Sequence, residues 1–345
     1  MSAERLLLRA ALLEGDAALD AWELAKGRPG LIDAAPYRVL PQLYRNLSAL
    51  GVKDEETERL KGVYRHCWTS NQRLLSGAGE GIRALHAEGI ATLVLSAPLR
   101  QDEGVALPLL RLDLLVHAPD VRRAVATLDQ AGWEVLHPDQ IDRLIVSGDP
   151  VAVDWPGTLA YVQTGPFWEP APEEPVWQAA RPIQVTGVDT LTLDPAHQLM
   201  RACTAGLAVP PEPELWLPDA VAALRAGRAA LDWDRLTADA ERWHMSARLA
   251  DALGTLRSEF GQDVPQEVLD RLVGSHRALH ERAAHRAGRR MPRGAHHVLQ
   301  WHRHRSLRAV RPEATVGFPS YWRASLGADS WGAVAGRYVR RLRPR

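Results

Sequence analysis

Two acids near the middle of the chain lie in segments that read as β-strands. Asp113 sits at mid-length in Leu109-Leu110-Arg111-Leu112-Asp113-Leu114-Leu115-Val116, and Asp154 in Val151-Ala152-Val153-Asp154-Trp155. Alternate residues of a strand point to one face. Arg111 therefore stands beside Asp113, and Ala152 beside Asp154. A guanidinium binds no metal and is always charged, so the spacing favours an Arg111–Asp113 or an Arg111–Asp154 ion pair.

Histidine offers a second chemistry. Seven of the 13 histidines fall between His276 and His304. A zinc site needs ligands converging on a small tetrahedron, usually with cysteine or carboxylate support. These histidines alternate with arginines whose charge repels a cation, so a solvated or packing role is expected. His197 reads as a satisfied core or capping histidine. Cys203 shares its helix with Leu199, Met200 and Leu207 and reads as a small core residue. Cys67 and Cys203 alone supply neither a disulfide framework nor a zinc site.

The elements that must position these residues follow from periodicity. Residues 1–88 carry apolar residues at helical spacing, and the helical stretch Glu55–His86 is interrupted only by the glycines of Ser76-Gly77-Ala78-Gly79. Short strands follow at Ile90–Leu95, Leu109–Val116, Trp133–Leu136, Arg143–Val146 and Val151–Trp155, with a helix from Pro119 to Gly132. Pro170–Pro175 reads as a loop, Pro182–Leu193 as a hairpin turning at Thr186-Gly187, and Asp194-Pro195 as the start of a helix. Helical patterns then run to His285. Four segments result: an N-terminal helical region (1–88), a mixed α/β core (89–193), a C-terminal helical region (194–290) and a basic, aromatic-containing tail (291–345).

The order strand, loop, acid-bearing strand, helix, acid-bearing strand resembles the bacterial nucleotidyltransferases related to the DNA polymerase β superfamily, in a poorly characterised branch. The residues that carry the likeness are Thr92-Leu93-Val94-Leu95-Ser96, Leu112-Asp113-Leu114-Leu115-Val116, Pro119-Asp120-Val121 through Ala131-Gly132-Trp133, and Val151–Trp155. Leu40-Pro41-Gln42-Leu43-Tyr44-Arg45-Asn46-Leu47, Asp194–Cys203, Trp216–Asp219 and Asp232-Trp233-Asp234 extend it to about residues 35–270. The resemblance implies an α/β (α+β) fold, a small mixed sheet flanked by helical regions. It also implies metal-dependent transfer of a nucleotidyl group from a nucleoside triphosphate such as ATP to an acceptor. Two magnesium ions then clamp the attacking and leaving oxygens, held as hard cations by carboxylates from adjacent strands.

This chain departs from that pattern where the metal ligands belong. The first acid of the family's Asp-x-Asp is Arg111; the second survives as Asp113. The third aligns with Ala152, with Asp154 two residues on, able to stand in only if the strand slid or bulged. The family's Lys-Gly after the first strand reads Ser96-Ala97. By resemblance, Asp113 and Asp154 are the catalytic and metal-binding candidates, and Ser96 and Arg111 the nucleotide-binding ones. A cation beside Asp113 implies that the two-metal reaction is impaired and that the fold serves as a binding or regulatory module. The alternatives are an active enzyme using Asp113, Asp154, magnesium and ATP, and a nucleic-acid- or acidic-partner-binding protein using the basic C-terminal tail.

Charge is distributed unevenly. Residues 271–345 hold 17 Lys+Arg against 3 Asp+Glu, whereas the whole chain is formally neutral at 42 against 42. Such a tail folds onto the acidic body or meets an acidic protein partner. A neutral total gives little long-range steering toward nucleic acid. The sequence shows neither a signal peptide nor an apolar run long enough to span a membrane, so a reduced, cytoplasmic protein is expected.

Overall fold

The computed structural model describes residues 2–26, 37–95, 106–155, 158–167, 170–205, 213–228, 230–275, 279–290, 295–312, 316–328 and 330–332. Four helices come first: α1 (Ala3–Leu12), α2 (Gly15–Ala25), α3 (Leu40–Ala49) and the long α4 (Glu55–Ala87). Asp54 opens α4 by accepting from the Thr57 amide, while the Thr57 side chain answers the Asp54 amide, a reciprocal cap. The glycines of α4 do not interrupt it. They lie where the helix runs close over the sheet, and a Cβ at Gly77 or Gly79 would collide with Thr158 or Thr186.

The sheet has seven strands, β1 (Leu93–Val94), β2 (Leu112–Leu115), β3 (Glu134–Val135), β4 (Val151–Trp155), β5 (Thr158–Gln163), β6 (Arg181–Val185) and β7 (Val188–Thr192). Their order is β3-β4-β5-β2-β1-β7-β6. The β2–β5 and β1–β7 pairs are parallel and the others antiparallel. This is the mixed sheet expected, with helices before and after it.

Alternation divides the sheet between two cores. Val94, Leu112, Leu114, Val116, Val151, Val153, Ala160 and Val162 face α4 and α5 (Val121–Gln130). Leu93, Leu95, Leu115 and Leu193 face the other way and join α1–α3 to the later helices. Those helices are α8 (Pro195–Ala205), α9 (Pro213–Gly227), α10 (Trp233–Arg242), α11 (Ser246–Phe260) and α12 (Gln266–Ser275). The N-terminal and C-terminal helical regions thus close one core together rather than standing apart.

Three local expectations are corrected. Arg143–Val146 is not a strand but part of α6 (Ile141–Ser147), which ends on left-handed Gly148. Ile141, Leu144 and Ile145 recur at helical spacing and pack on the sheet core. Strand β5 was not anticipated, although Thr158, Ala160 and Val162 alternate as buried residues. The end of the presumed Pro170–Pro175 loop starts a short helix, α7 (Glu174–Ala179).

The basic C-terminal segment forms α13 (Leu279–Arg290), α14 (Ala295–Val310) and α15 (Phe318–Ser325), and it folds back on the body. Arg303 Nη1 donates to Asp149 Oδ1 (2.6 Å) and Nη2 to the Gly148 carbonyl (2.6 Å). Arg311 donates to the Thr164 carbonyl. Tyr321, wholly buried, donates to Gln300, and α15 packs on α6. Among the described residues no helix is long and apolar enough to cross a membrane.

Candidate functional site

The sheet brings Asp113 to the centre of one face. In register across the strands, Asp113 on β2 lies beside Tyr161 on β5, which lies beside Ala152 on β4. Asp113 is buried, and both its carboxylate oxygens are engaged. Oδ1 accepts from Arg111 Nε (3.0 Å) and from Gln163 Nε2 (3.0 Å), and Oδ2 accepts from Arg201 Nη2 (3.0 Å). Arg201 comes from α8 and is held by a second bond from Nη1 to the Pro166 carbonyl (2.6 Å). The Arg111 guanidinium lies over the Tyr161 ring, 4.8 Å from its centroid, a cation–π contact. Arg111 keeps 49% of its side chain exposed, against 18% for Arg201.

A second ion pair stands next to this one. Arg38 donates to Asp219 on α9. Burial raises the Asp219 carboxyl above the usual carboxylate range; Arg38 and Arg201 oppose that rise, and the charge of Asp113 adds to it. Among the described residues the centre holds three guanidiniums and two carboxyl groups.

That arrangement does not fit a pair of divalent ions. Magnesium needs several free oxygen ligands in near-octahedral geometry, and both Asp113 oxygens already accept hydrogen bonds. A divalent ion about 4 Å from a guanidinium meets a repulsion on the order of 8 kcal/mol at an effective dielectric of about 20. One carboxylate offsets one such guanidinium, and a second is left over. Among the described residues no group of three or more His, Cys, Asp or Glu could hold a metal ion.

Asp154 does not join Asp113. It lies on β4 opposite Leu159 and Glu134, two strands from Asp113 and two residues beyond the level of Ala152. With strands about 4.8 Å apart and a rise of about 3.4 Å per residue, the two Cα atoms stand about 12 Å apart. The β4–β5 register runs unbroken from Val151 to Trp155, so the slide or bulge that would carry Asp154 to the level of Ala152 is not present. Arg111 pairs with Asp113, one of the two partners its spacing allowed. Ser96 lies outside the described residues.

Sequence reasoning missed Gln163, Arg201, Arg38 and Asp219. Gln163 sits on the unanticipated strand. Arg201 and Asp219 fall inside stretches noted for their resemblance, and a charged Arg201 flanked by the buried Met200 and Ala202 was the available signal.

The other candidates resolve as packing. His197 is 1% exposed, its Nδ1 paired with Asp194 and its Nε2 3.1 Å from Asp239 Oδ2, and it stacks on Trp243. Burial alone would lower its pKa, but the two carboxylates outweigh burial and raise it. Burial raises the thiols of both cysteines, Cys67 to about 11, so neither is a ready nucleophile. His280 Nδ1 and His302 Nδ1 meet at 2.9 Å, with His244 edge-on to His280. Burial, then Arg248, His280 and His244, push His302 down to about 3.

The strand order, the two-sided helical cover and the placement of Asp113 define an α+β fold of nucleotidyltransferase type. Residues 34–261 match the model of a family described as "Uncharacterised nucleotidyltransferase". The match spans more than half of the chain, which therefore belongs to that family. No curated protein and no solved structure matches it.

Proposed function

We propose that this member of the nucleotidyltransferase family is catalytically impaired and works as a binding or regulatory module. In this reading its two-metal centre has been replaced by an ion-paired carboxylate. The observation that carries the proposal is the bonding of Asp113: each oxygen of the one acid retained from Asp-x-Asp accepts from a guanidinium. Arg111, in place of the other acid, supplies one of those donors. Ala152, level with Asp113 across β5, leaves the third ligand position without oxygen. Phosphoryl chemistry on this scaffold rests on neutralising phosphate charge with metal ions. The residues here supply positive charge directly, which suits holding a phosphate-bearing molecule and gives no means of activating an acceptor.

The test is nucleotidyl transfer from labelled ATP, with magnesium or manganese and a cell extract as the source of acceptor. The expected result is no labelling above background. Labelling that disappears in Asp113→Ala would overturn the proposal and assign an active transferase.

A further inference from the structure

Two arginines of the basic tail reach into the body: Arg303 pairs with Asp149, and Arg311 binds the Thr164 carbonyl. Arg305 and Arg308 stay at the surface. Both are exposed, and among the described residues neither side chain makes an ion pair or a hydrogen bond. They lie three residues apart on α14, one turn along the helix. Trp301, His304 and Ala309 belong to the same stripe.

This stripe and Phe318, at the start of α15, line a hollow of about 540 Å³, within the range of small-molecule sites. Its walls are aromatic. Trp301 remains 38% exposed, with the Arg305 guanidinium 5.4 Å over its ring. Phe318 stands edge-on to His304 at 5.3 Å. His304 donates from Nε2 to the Val316 carbonyl (2.9 Å), and among the described residues neither arginine at the rim is held by an acid or a carbonyl.

We propose that this hollow binds a nucleoside phosphate, at a site separate from the Asp113 centre. A planar base is the group that uses both aromatic walls, since every base presents a π-face to tryptophan, phenylalanine or a guanidinium plane. A phosphate is the group that uses two exposed forked donors one helical turn apart. An acidic side chain would engage the arginines and leave the rings unused. The hollow holds one nucleotide, whether free or part of a single strand.

The experiment is isothermal titration of the full chain in EDTA with 5′-AMP, adenosine, inorganic phosphate and a polyglutamate peptide. The expected result is that AMP binds at least about 10-fold more tightly than adenosine, phosphate or the peptide, given stacking of about 1–3 kcal/mol per base. The double charge reversal Arg305→Glu/Arg308→Glu changes only exposed side chains. It is expected to weaken AMP by about 10-fold or more with an unchanged circular dichroism spectrum, and Trp301→Leu is expected to weaken it by less. Affinity that phosphate or polyglutamate matches, or that survives the charge reversal, overturns the proposal. So does affinity lost in Arg111→Ala, which would put the nucleotide at the sheet. A single-stranded oligonucleotide identifies the source. Tighter binding than AMP, falling steeply with salt, assigns the site to a strand, and binding equal to AMP assigns it to the free nucleotide.

Discussion

Helix α8 presents two polar side chains four residues apart, His197 and Arg201, and each enters a charged trio of opposite design. His197 is a base enclosed by two acids, Asp194 and Asp239. Arg201 helps to enclose one acid, Asp113, between two cations. The first trio is sealed beneath Trp243 and Phe167. The second is open on one side, because Arg111 is half exposed and rests on Tyr161. Sealed charges act mainly on stability, since breaking a buried pair strands an ion without water. An ion pair with one partner in solvent contributes little to stability and can exchange that partner for a ligand. One helix thus carries a sealed cluster and an open one, told apart by exposure rather than by residue type.

The largest effect expected is at the sealed cluster. Asp239→Ala leaves His197 with one acid and should destabilise the fold by about 3–5 kcal/mol, read from denaturant unfolding. Asp113→Ala frees the partly buried Arg201 and should cost less, about 1–3 kcal/mol. A larger loss from Asp113→Ala than from Asp239→Ala would reverse the assignment of roles.

The pH dependence separates two buried histidines. The pKa of His197 is raised by its acids. Its stabilising contribution is therefore fully present below the unfolded value near 6.5 and is lost as pH rises through the higher folded value. The pKa of His302 is depressed to about 3, so its contribution is present above about 6.5 and is lost as pH falls toward 3. Melting temperature followed from pH 4 to 9 should decline at both ends. The alkaline decline should vanish in a folded His197→Gln variant, and the acid decline should lessen in His302→Gln. The smallest effect is expected for Arg111→Ala, less than about 1 kcal/mol by the same unfolding measurement.

Much of the sheet could be read from the sequence because strands β2 and β4 carry aliphatic runs and the β6–β7 hairpin turns at Thr186-Gly187. Segment α6 misled because Leu144-Ile145-Val146 suits a strand as well as a helix. Only its packing on the sheet through Ile141, Leu144 and Ile145 selects the helix. At the site, Arg111 beside Asp113 followed from a two-residue spacing within one strand. Arg201 lies 88 residues from Asp113 in the chain, and no local periodicity reports a pairing between a helix and a strand so far apart.

Manganese binding followed by electron paramagnetic resonance tests the central claim most directly. The wild-type chain is expected to leave manganese free at millimolar concentration. Arg111→Asp, which rebuilds the Asp-x-Asp pair, is expected to gain a bound ion that Asp113→Asn then removes. Tight manganese binding by the wild type, abolished by Asp113→Asn, would contradict the account.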